Sequence, residues 1–151
     1  MNSQYKASAG YKEKVEASFN RQEMMKTINV SIIAVRPGEV ELEFPYQAGL
    51  TQQHGFIHAG IVSTVLDSAC GYAAFSLMPV NAAVLTIEFK VNLLAPAEGE
   101  RFRAVGKVKK HGKNISVTEG ELFSHMKGEQ KLVATMVGTI MSVYDREGVE
   151  H

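Results

Sequence analysis

The stretch His58–Val80, HAGIVSTVLDSACGYAAFSLMPV, decides the fold of this chain. From residue 61 onward, apolar side chains occupy most of a helical circumference. Asp67 lies near the middle, where a charge would be expensive in a lipid bilayer, so the pattern predicts a buried helix of a soluble domain and not a membrane span. A helix that is apolar on most sides must be covered, which predicts a sheet wrapped around it.

Segments on both sides of this helix supply the strands of that sheet. Residues 11–26 predict one amphipathic helix through Val15, Phe19 and Met24, and an Arg-Pro-Gly turn at 36–38 joins predicted strands at 28–35 and 39–44. Downstream, the predicted strands are residues 84–93, 101–110, 114–124 and 131–144, of which the last three are separated by short glycine-containing turns and should pair antiparallel. The predicted order is α-β-β-α-β-β-β-β, an α+β fold.

The strand at 84–93 shows the clearest alternation in the sequence. Strict alternation predicts that its apolar side chains share one face and its polar side chains the other. The apolar set is Leu85, Ile87, Phe89, Val91 and Leu93, and the polar set is Thr86, Glu88, Lys90 and Asn92.

Composition limits what the chain can be. Its 151 residues fit a single domain spanning 1–151, and the lone Cys70 excludes an internal disulfide or a multi-cysteine metal site within one chain. Sixteen basic residues balance sixteen acidic ones, so we expect neither nucleic acid nor a membrane as partner. No signal peptide is predicted, because lysines and Glu13 interrupt the N-terminal segment, and we expect a cytoplasmic protein without cofactor or metal.

Asp67 is the first candidate for chemistry. It shares a helix face with Gly60, Thr64 and Gly71, which recur at spacings of four, three and four. A carboxylate in an apolar helix needs hydrogen-bond partners or a cleft. Two interpretations remain open: a structural Asp that accepts hydrogen bonds from Thr64 or another side chain, and a nucleophile or general base in a pocket.

The residues before the helix offer a second candidate. His58, Ala59 and Gly60 open the helix, and the free N–H groups and positive dipole end of a helix start can hold a developing oxyanion. Ala59 and Gly60 are small enough for a ligand carbonyl to approach those amides. The alternative is that His58 only packs against or caps the helix.

These motifs together resemble a known family. The string from His58 to Ala69, followed by Leu85-Thr86-Ile87-Glu88-Phe89 and Leu94-Ala95-Pro96-Ala97, is similar to the hotdog-fold acyl-CoA thioesterases of the PaaI-like type, within the 4-hydroxybenzoyl-CoA thioesterase superfamily. The resemblance implies a sheet wrapped around one long helix and hydrolysis of an acyl-CoA thioester.

The resemblance also implies roles for individual residues. The family places a catalytic acid nine residues after the motif His, which is the spacing of His58 and Asp67, and a Ser or Thr on the next strand, which is Thr86. Two positions depart from the pattern, with Gln52 where an Asn is common and Ala59 where the family has its oxyanion Gly. Gly60 and Ser68, inside the motif, are expected to contact substrate.

The spacing of Ala59 and Asp67 indicates that a second copy of the chain is needed. Ala59 and Asp67 are eight residues apart, so their backbones are about 12 Å apart along a helix. The oxyanion donor and the base must each lie within about 3–3.5 Å of one reacting carbonyl or its water. One thioester can therefore use both residues only if they come from different copies, which predicts at least a symmetric homodimer and leaves a homotetramer open.

A basic stretch could serve the coenzyme. Residues 101–113 include Lys107, Lys109 and Lys113, which could bind the phosphates of CoA. The alternative is a strand whose charges protect a sheet edge against aggregation.

Two other functions fit the same fold. One is a non-catalytic protein that binds acyl-CoA, and the other is a hydratase or dehydratase of acyl thioesters. The acyl group itself is not specified by the sequence.

Overall fold

The computed structural model describes residues 4–149. Two short helices precede a six-stranded antiparallel sheet of order β1-β2-β4-β5-β6-β3, and a long helix, α3, crosses one face of it. The expected α+β hotdog architecture is confirmed, including the sequential pairing of β4, β5 and β6. The elements are α1 (Tyr11–Asn20), α2 (Glu23–Ile28), β1 (Ser31–Arg36), β2 (Glu39–Pro45), a 3-10 turn (Ala48–Leu50), α3 (Ala59–Phe75), β3 (Ala82–Leu93), β4 (Arg101–His111), β5 (Ile115–Met126) and β6 (Glu129–Tyr144).

Helix α3 is buried because the sheet curves around it. Val65, Leu66 and Phe75 are fully inaccessible, and α3 packs against β2, β3, β4, β5 and β6. Gly106 on β4 and Gly120 on β5 are cross-strand neighbours beneath the helix. A Cβ on Gly106 would lie 2.4 Å from the carbonyl oxygen of Ala69, so the helix backbone rests directly on the strand.

This close approach gives a first prediction. Gly106→Ala should lower the free energy of unfolding by about 3 kcal/mol, the upper part of the range for overpacked cores, because backbone atoms cannot swing aside as side chains do. Gly49→Ala is the matched control, since a Cβ at Gly49 meets no described atom within 4 Å. Chemical denaturation of both variants measures the difference, and equal midpoints would contradict the close approach.

The N-terminal segment differs from the prediction of one helix. Helix α1 ends at Asn20, and Gln22 adopts an extended conformation before α2 begins. The break shifts the helical phase by one residue, so Met25 is buried and Met24 is half exposed. Ile28 completes α2, and β1 consequently begins at Ser31 and not at residue 28.

Strand β3 also departs from the strict alternation read in the sequence. A bulge at Ile87 shifts its register against β6, so that Thr86 pairs with Ile140 and Glu88 pairs with Thr139. Ile140 is buried under α3, and Thr86 therefore faces the helix. The predicted grouping is correct from Glu88 to Leu93 and wrong before the bulge, where Thr86 shares the inner face with Phe89, and Leu85 lies on the outer face with Glu88.

Between residues 4 and 149, no helix has both the length and the apolar character needed to cross a bilayer.

Candidate active site

The first turn of α3 is shaped by His58. Its side chain caps the helix, with Nδ1 accepting a hydrogen bond from the N–H of Gly60 at 2.8 Å. The imidazole folds so closely over the turn that a Cβ on Gly60 would lie 3.0 Å from Nδ1, which accounts for the glycine. The capping interpretation of His58 is thus the one that the geometry shows, and it fixes Nδ1 as the acceptor nitrogen.

The cap leaves one amide of the first turn open. The N–H of Gly60 is bound by His58, and those of Ile61 and Val62 donate to the His58 carbonyl oxygen. The N–H of Ala59 donates to no atom in the described part of the chain. Ala59 has helical backbone and is not among the residues of positive φ, so alanine is unstrained there.

Ala59 lines an apolar cleft of about 490 Å³. Gln52 lines the same cleft, held there by a small hairpin in which Thr51 pairs with Ile57. The carbonyl oxygen of the Gln52 side chain accepts a hydrogen bond from the N–H of His54. The structure thus brings Gln52 and Ala59 together, beside Leu93 and Leu94 at the end of β3.

Asp67 lies two helical turns further along α3, in a different cavity of about 250 Å³. Its Oδ1 accepts a hydrogen bond of 2.7 Å from the hydroxyl of Thr86. Thr64, the alternative partner considered from sequence, donates instead to the carbonyl oxygen of Gly60. Thr86 reaches Asp67 only because the bulge at Ile87 sets its side chain on the inner face.

Burial raises the pKa of Asp67 above the ordinary value for an aspartate, and the hydrogen bond from Thr86 opposes that rise. A carboxylate of raised pKa is a stronger base than an ordinary aspartate. The side chain is partly buried and open to the cavity, so it can meet a ligand or a water molecule.

The two cavities are the decisive geometric feature. Ala59 and Gln52 line the first, while Asp67, Ser68 and Thr86 line the second, and the two share none of the residues that the structure describes. Both open beside β3, the first at its C-terminal end and the second at its N-terminal end. Within one chain, the open helix amide and the carboxylate therefore do not face a common space.

Comparison with known proteins decides the family. The profile described as "Thioesterase superfamily" matches residues 54–129, which include His58, Asp67 and Thr86. The chain belongs to the thioesterase superfamily. A relative named only as a candidate esterase, from Saccharolobus solfataricus, is 32% identical over 128 residues, covering 83% of this chain and 87% of its own. A second candidate esterase, from Halobacterium salinarum, is 35% identical over 64% of this chain and 66% of its own.

Solved structures agree with that membership. A thioesterase family protein from Silicibacter pomeroyi superimposes with a TM-score of 0.89 at 56% identity, over 89% of this chain and 99% of its own. The PaaI protein of the E. coli phenylacetic acid degradation operon has a TM-score of 0.81 at 21% identity, over 91% and 96%, and so shares the fold. Membership in the thioesterase superfamily supports a hydrolase that acts on thioesters.

In this member of the thioesterase superfamily, the two motif residues predicted to contact substrate, Gly60 and Ser68, lie in different places. Gly60 lies in the capped turn, and Ser68 lines the Asp67 cavity, where its hydroxyl donates to Oε1 of Gln22 at 3.0 Å. The sequence analysis did not identify Gln22 as a residue of the site. The break between α1 and α2 that positions Gln22 has no recognisable sequence pattern, and its partner Ser68 is 46 residues away.

The lysines lie apart from both cavities. Lys107 points away from α3, since it alternates with buried Gly106 and Val108, and its Nζ lies 3.4 Å from Glu39. Lys109 pairs with Glu119 at 3.3 Å, and Lys113 is exposed in the turn between β4 and β5. Two of the three lysines are thus engaged with carboxylates, which is the arrangement of a solvated, charge-balanced surface and not of a free cationic patch.

Cys70 is buried beneath Asp67, and desolvation raises the pKa of its thiol to about 12. A thiol held protonated is a poor nucleophile and reacts slowly with thiol reagents. Since it is the sole cysteine, assays that detect released thiol are free of interference from the folded protein. Among residues 4–149, no group of three or more His, Cys, Asp or Glu side chains is arranged to hold a metal ion.

Proposed function

We propose that this protein hydrolyses acyl-CoA thioesters as a homodimer, in which Ala59 of one subunit and Asp67 of the other act on the same substrate. The observation that carries this proposal is the separation of the two groups within one chain, into two cavities without a common residue. Neither cavity alone holds both an oxyanion donor and a base. A second copy supplies the missing half.

Strand β3 supports this assembly. It is an edge strand of twelve residues with three apolar side chains close to half exposed: Ile87 at 51%, Phe89 at 43% and Leu93 at 57%. A long, apolar, unpaired edge would template aggregation in a monomer, so it needs a covering partner. A second β3, paired antiparallel across a twofold axis, covers it with an identical edge.

The same pairing accounts for a shared site. With the twofold axis near Phe89, the N-terminal half of one β3 lies opposite the C-terminal half of the other. Leu85 borders the Asp67 cavity, and Leu93 borders the Ala59 cleft. Pairing of the two edges therefore sets the carboxylate of one subunit beside the helix start of its partner, twice per dimer.

The reaction follows from the two groups. The N–H of Ala59 donates to the thioester oxygen, whose negative charge grows as the carbonyl carbon becomes tetrahedral, and the positive end of α3 stabilises that charge. Gln52 and His58 border the same helix start and orient the carbonyl or the departing sulfur. The intermediate collapses by breaking the carbon–sulfur bond and releases the CoA thiolate, which takes up a proton supplied by the water that is consumed, while the acyl group ends as the free acid.

Asp67 serves this step in one of two ways, both consistent with its position. It takes a proton from water, which then attacks the carbonyl carbon, or its Oδ2 attacks directly to form an anhydride that water later opens. Thr86 positions Oδ1 in either route. Single turnover in ¹⁸O-labelled water tests for the anhydride, since label in the Asp67 side chain arises only when water opens an anhydride at the aspartyl carbonyl carbon.

Mixing two inactive variants tests the shared site. Chains carrying Ala59→Pro and chains carrying Asp67→Asn are unfolded together and refolded, with each variant refolded alone as control. If one site draws on both chains, half of the random dimers are mixed, and each mixed dimer has one unaltered site, so about a quarter of wild-type activity should return. If both residues served a site within one chain, mixing would restore nothing. Acyl-CoA binding without thiol release, or hydration of an enoyl-CoA, would favour the two other functions.

For the phosphates of CoA, the proposal rests on Lys113 more than on Lys107 and Lys109, whose carboxylate partners would have to be exchanged for phosphate.

A further inference from the structure

Gly71 has no structural reason of the kind that accounts for other glycines in the chain. Gly38 and Gly55 have positive φ, and Gly106 and Gly120 lie where a Cβ would collide with α3. Gly71 lies inside α3 with helical backbone, and a Cβ built on it meets no atom of residues 4–149 within 4 Å. A glycine in a helix interior lowers stability relative to alanine, so the fold itself would favour a methyl group there.

The space that Gly71 leaves is part of the Asp67 cavity. Gly71 follows Asp67 by four residues, one turn along the same helix face, and both line that cavity. Its volume of about 250 Å³ is below the range for a pocket that holds a whole drug-sized ligand. The cavity thus fits a part of a substrate, such as the acyl group of a thioester whose carbonyl lies at Asp67.

The wall of this cavity is held in place by hydrogen bonds. Gln22, between α1 and α2, accepts from the hydroxyl of Ser68 and donates through Nε2 to the hydroxyl of Tyr72 at 3.4 Å. The Tyr72 hydroxyl also bonds to Ser18 at 3.2 Å. Because this network ties the N-terminal helices to α3, a group in the cavity cannot gain room by pushing the wall away without breaking it.

We propose that Gly71 determines the size of the acyl group that this protein accepts, because its missing side chain provides the room next to Asp67. The inference rests on the proposed thioester hydrolysis at Asp67 and adds to it the residue that limits the acyl group. Gly71 is a specificity-determining residue and takes no part in the proton transfer.

The test is a series of substitutions read against a series of substrates. Wild type, Gly71→Ala and Gly71→Val are assayed by thiol release on acetyl-CoA, hexanoyl-CoA and benzoyl-CoA. We expect Gly71→Ala to lower kcat/KM for hexanoyl-CoA and benzoyl-CoA about tenfold and to leave acetyl-CoA within about twofold, since one methyl group changes kcat/KM by about 10–200-fold where the substrate fills its pocket. Gly71→Val should widen the gap.

Stability gives a second readout with the opposite sign. Gly71→Ala should raise Tm by about 2–4 °C, because alanine is the better helix former and meets no neighbour. Gly49→Ala, outside both cavities, is the control and should leave the substrate profile of the wild type unchanged. If Gly71→Ala has a higher Tm and accepts a narrower range of acyl groups, its loss of activity comes from the smaller cavity and not from damage to the fold.

Three results would overturn the inference. The first is an unchanged ratio of benzoyl-CoA to acetyl-CoA activity in Gly71→Ala, with wild type active, which leaves the proposed hydrolysis standing. The second is an equal loss on all three substrates, which would place Gly71 at the reacting carbonyl. The third is dissociation of the dimer in Gly71→Ala, which would mean that the space beside Gly71 is occupied by the partner subunit and not by an acyl group. If wild type releases thiol from none of many acyl-CoAs, the proposed function fails as well.

Discussion

Replacing Asp67 with Asn should lower kcat/KM for acyl-CoA hydrolysis by about 10²–10⁴-fold, the usual contribution of a positioned general base. The amide retains the shape of the side chain and can accept the hydrogen bond from Thr86 through Oδ1, so the cavity keeps its form. What it loses is the basic lone pair and the charge. The measurement is steady-state release of CoA thiol, with Asp67→Ala alongside to exclude activity regained by deamidation of the Asn.

Asp145→Asn is the matched control, since Asp145 is the only other aspartate in the chain. It lies exposed after β6 with φ of 49°, a conformation that Asn and Asp both tolerate. The control should keep full activity. Turnover by Asp67→Asn within a few-fold of wild type would remove Asp67 from the chemistry and return it to the structural interpretation.

The raised pKa of Asp67 gives this prediction a pH dependence. Only the carboxylate form of Asp67 is a base, so kcat/KM should fall as the pH drops through the pKa of Asp67 in the folded protein. This fall should occur at a higher pH than an ordinary aspartate would give. Thr86→Val removes the hydrogen bond that lowers this pKa, so the acidic limb should move to still higher pH. If Thr86→Val lost activity but its pH profile were not shifted, Thr86 would not act by lowering the pKa of Asp67.

Stability should change in the opposite sense to activity. A carboxyl with a raised pKa in the folded state contributes stability that is fully present below the pKa of the unfolded chain and is lost as the pH rises through the folded pKa. At neutral pH, the buried charge of Asp67 therefore costs stability. Asp67→Asn removes that cost, and its Tm at neutral pH should equal or exceed that of wild type.

Ala59→Pro should reduce kcat by about 10²–10³-fold, the loss observed when one oxyanion donor is removed. Proline is well tolerated at the first position of a helix, and the extended backbone of His58, with φ of −60° and ψ of 139°, is the conformation that precedes proline. The N–H of Ala59 makes no hydrogen bond in the described part of the chain, so the fold loses none. The substitution therefore removes the proposed donor and little else.

Ala59→Gly is the comparison variant at the same position, because it retains the N–H and should lose far less activity than Ala59→Pro. Both variants should have the helix content of wild type, and their Tm values should lie within a few degrees of the wild-type Tm. If Ala59→Pro hydrolyses acyl-CoA as fast as Ala59→Gly does, the oxyanion donor lies elsewhere. If it unfolds, the environment of that N–H differs from the one described.

The helix α3 and the residues it carries could be predicted because they depend on neighbours in sequence. The apolar circumference and the spacings of His58, Asp67 and Gly71 are set by the helical period, which any sequence displays directly. The strands could be located for the same reason. The family resemblance then added Gln52 and Thr86, which no local pattern singles out.

Features that depend on distant contacts could not be predicted. Strict alternation along residues 84–93 placed Thr86 with Glu88, and the bulge at Ile87 reversed this, because its register is set by β6, more than 40 residues away. Gln22 reaches the Asp67 cavity through a helix break that the pattern of Val15, Phe19 and Met24 does not reveal. The carboxylate partners of Lys107 and Lys109 belong to other strands.

The sequence by itself determined the buried helix, the strands around it and the incompatibility of Ala59 and Asp67 within one site, since each follows from a fixed rise and period along the backbone. The tertiary structure decided which side chains face α3, which amide of its first turn stays open and which residues border the Asp67 cavity. These depend on strand register and on the packing of segments far apart in the chain, where one residue of shift reverses a face.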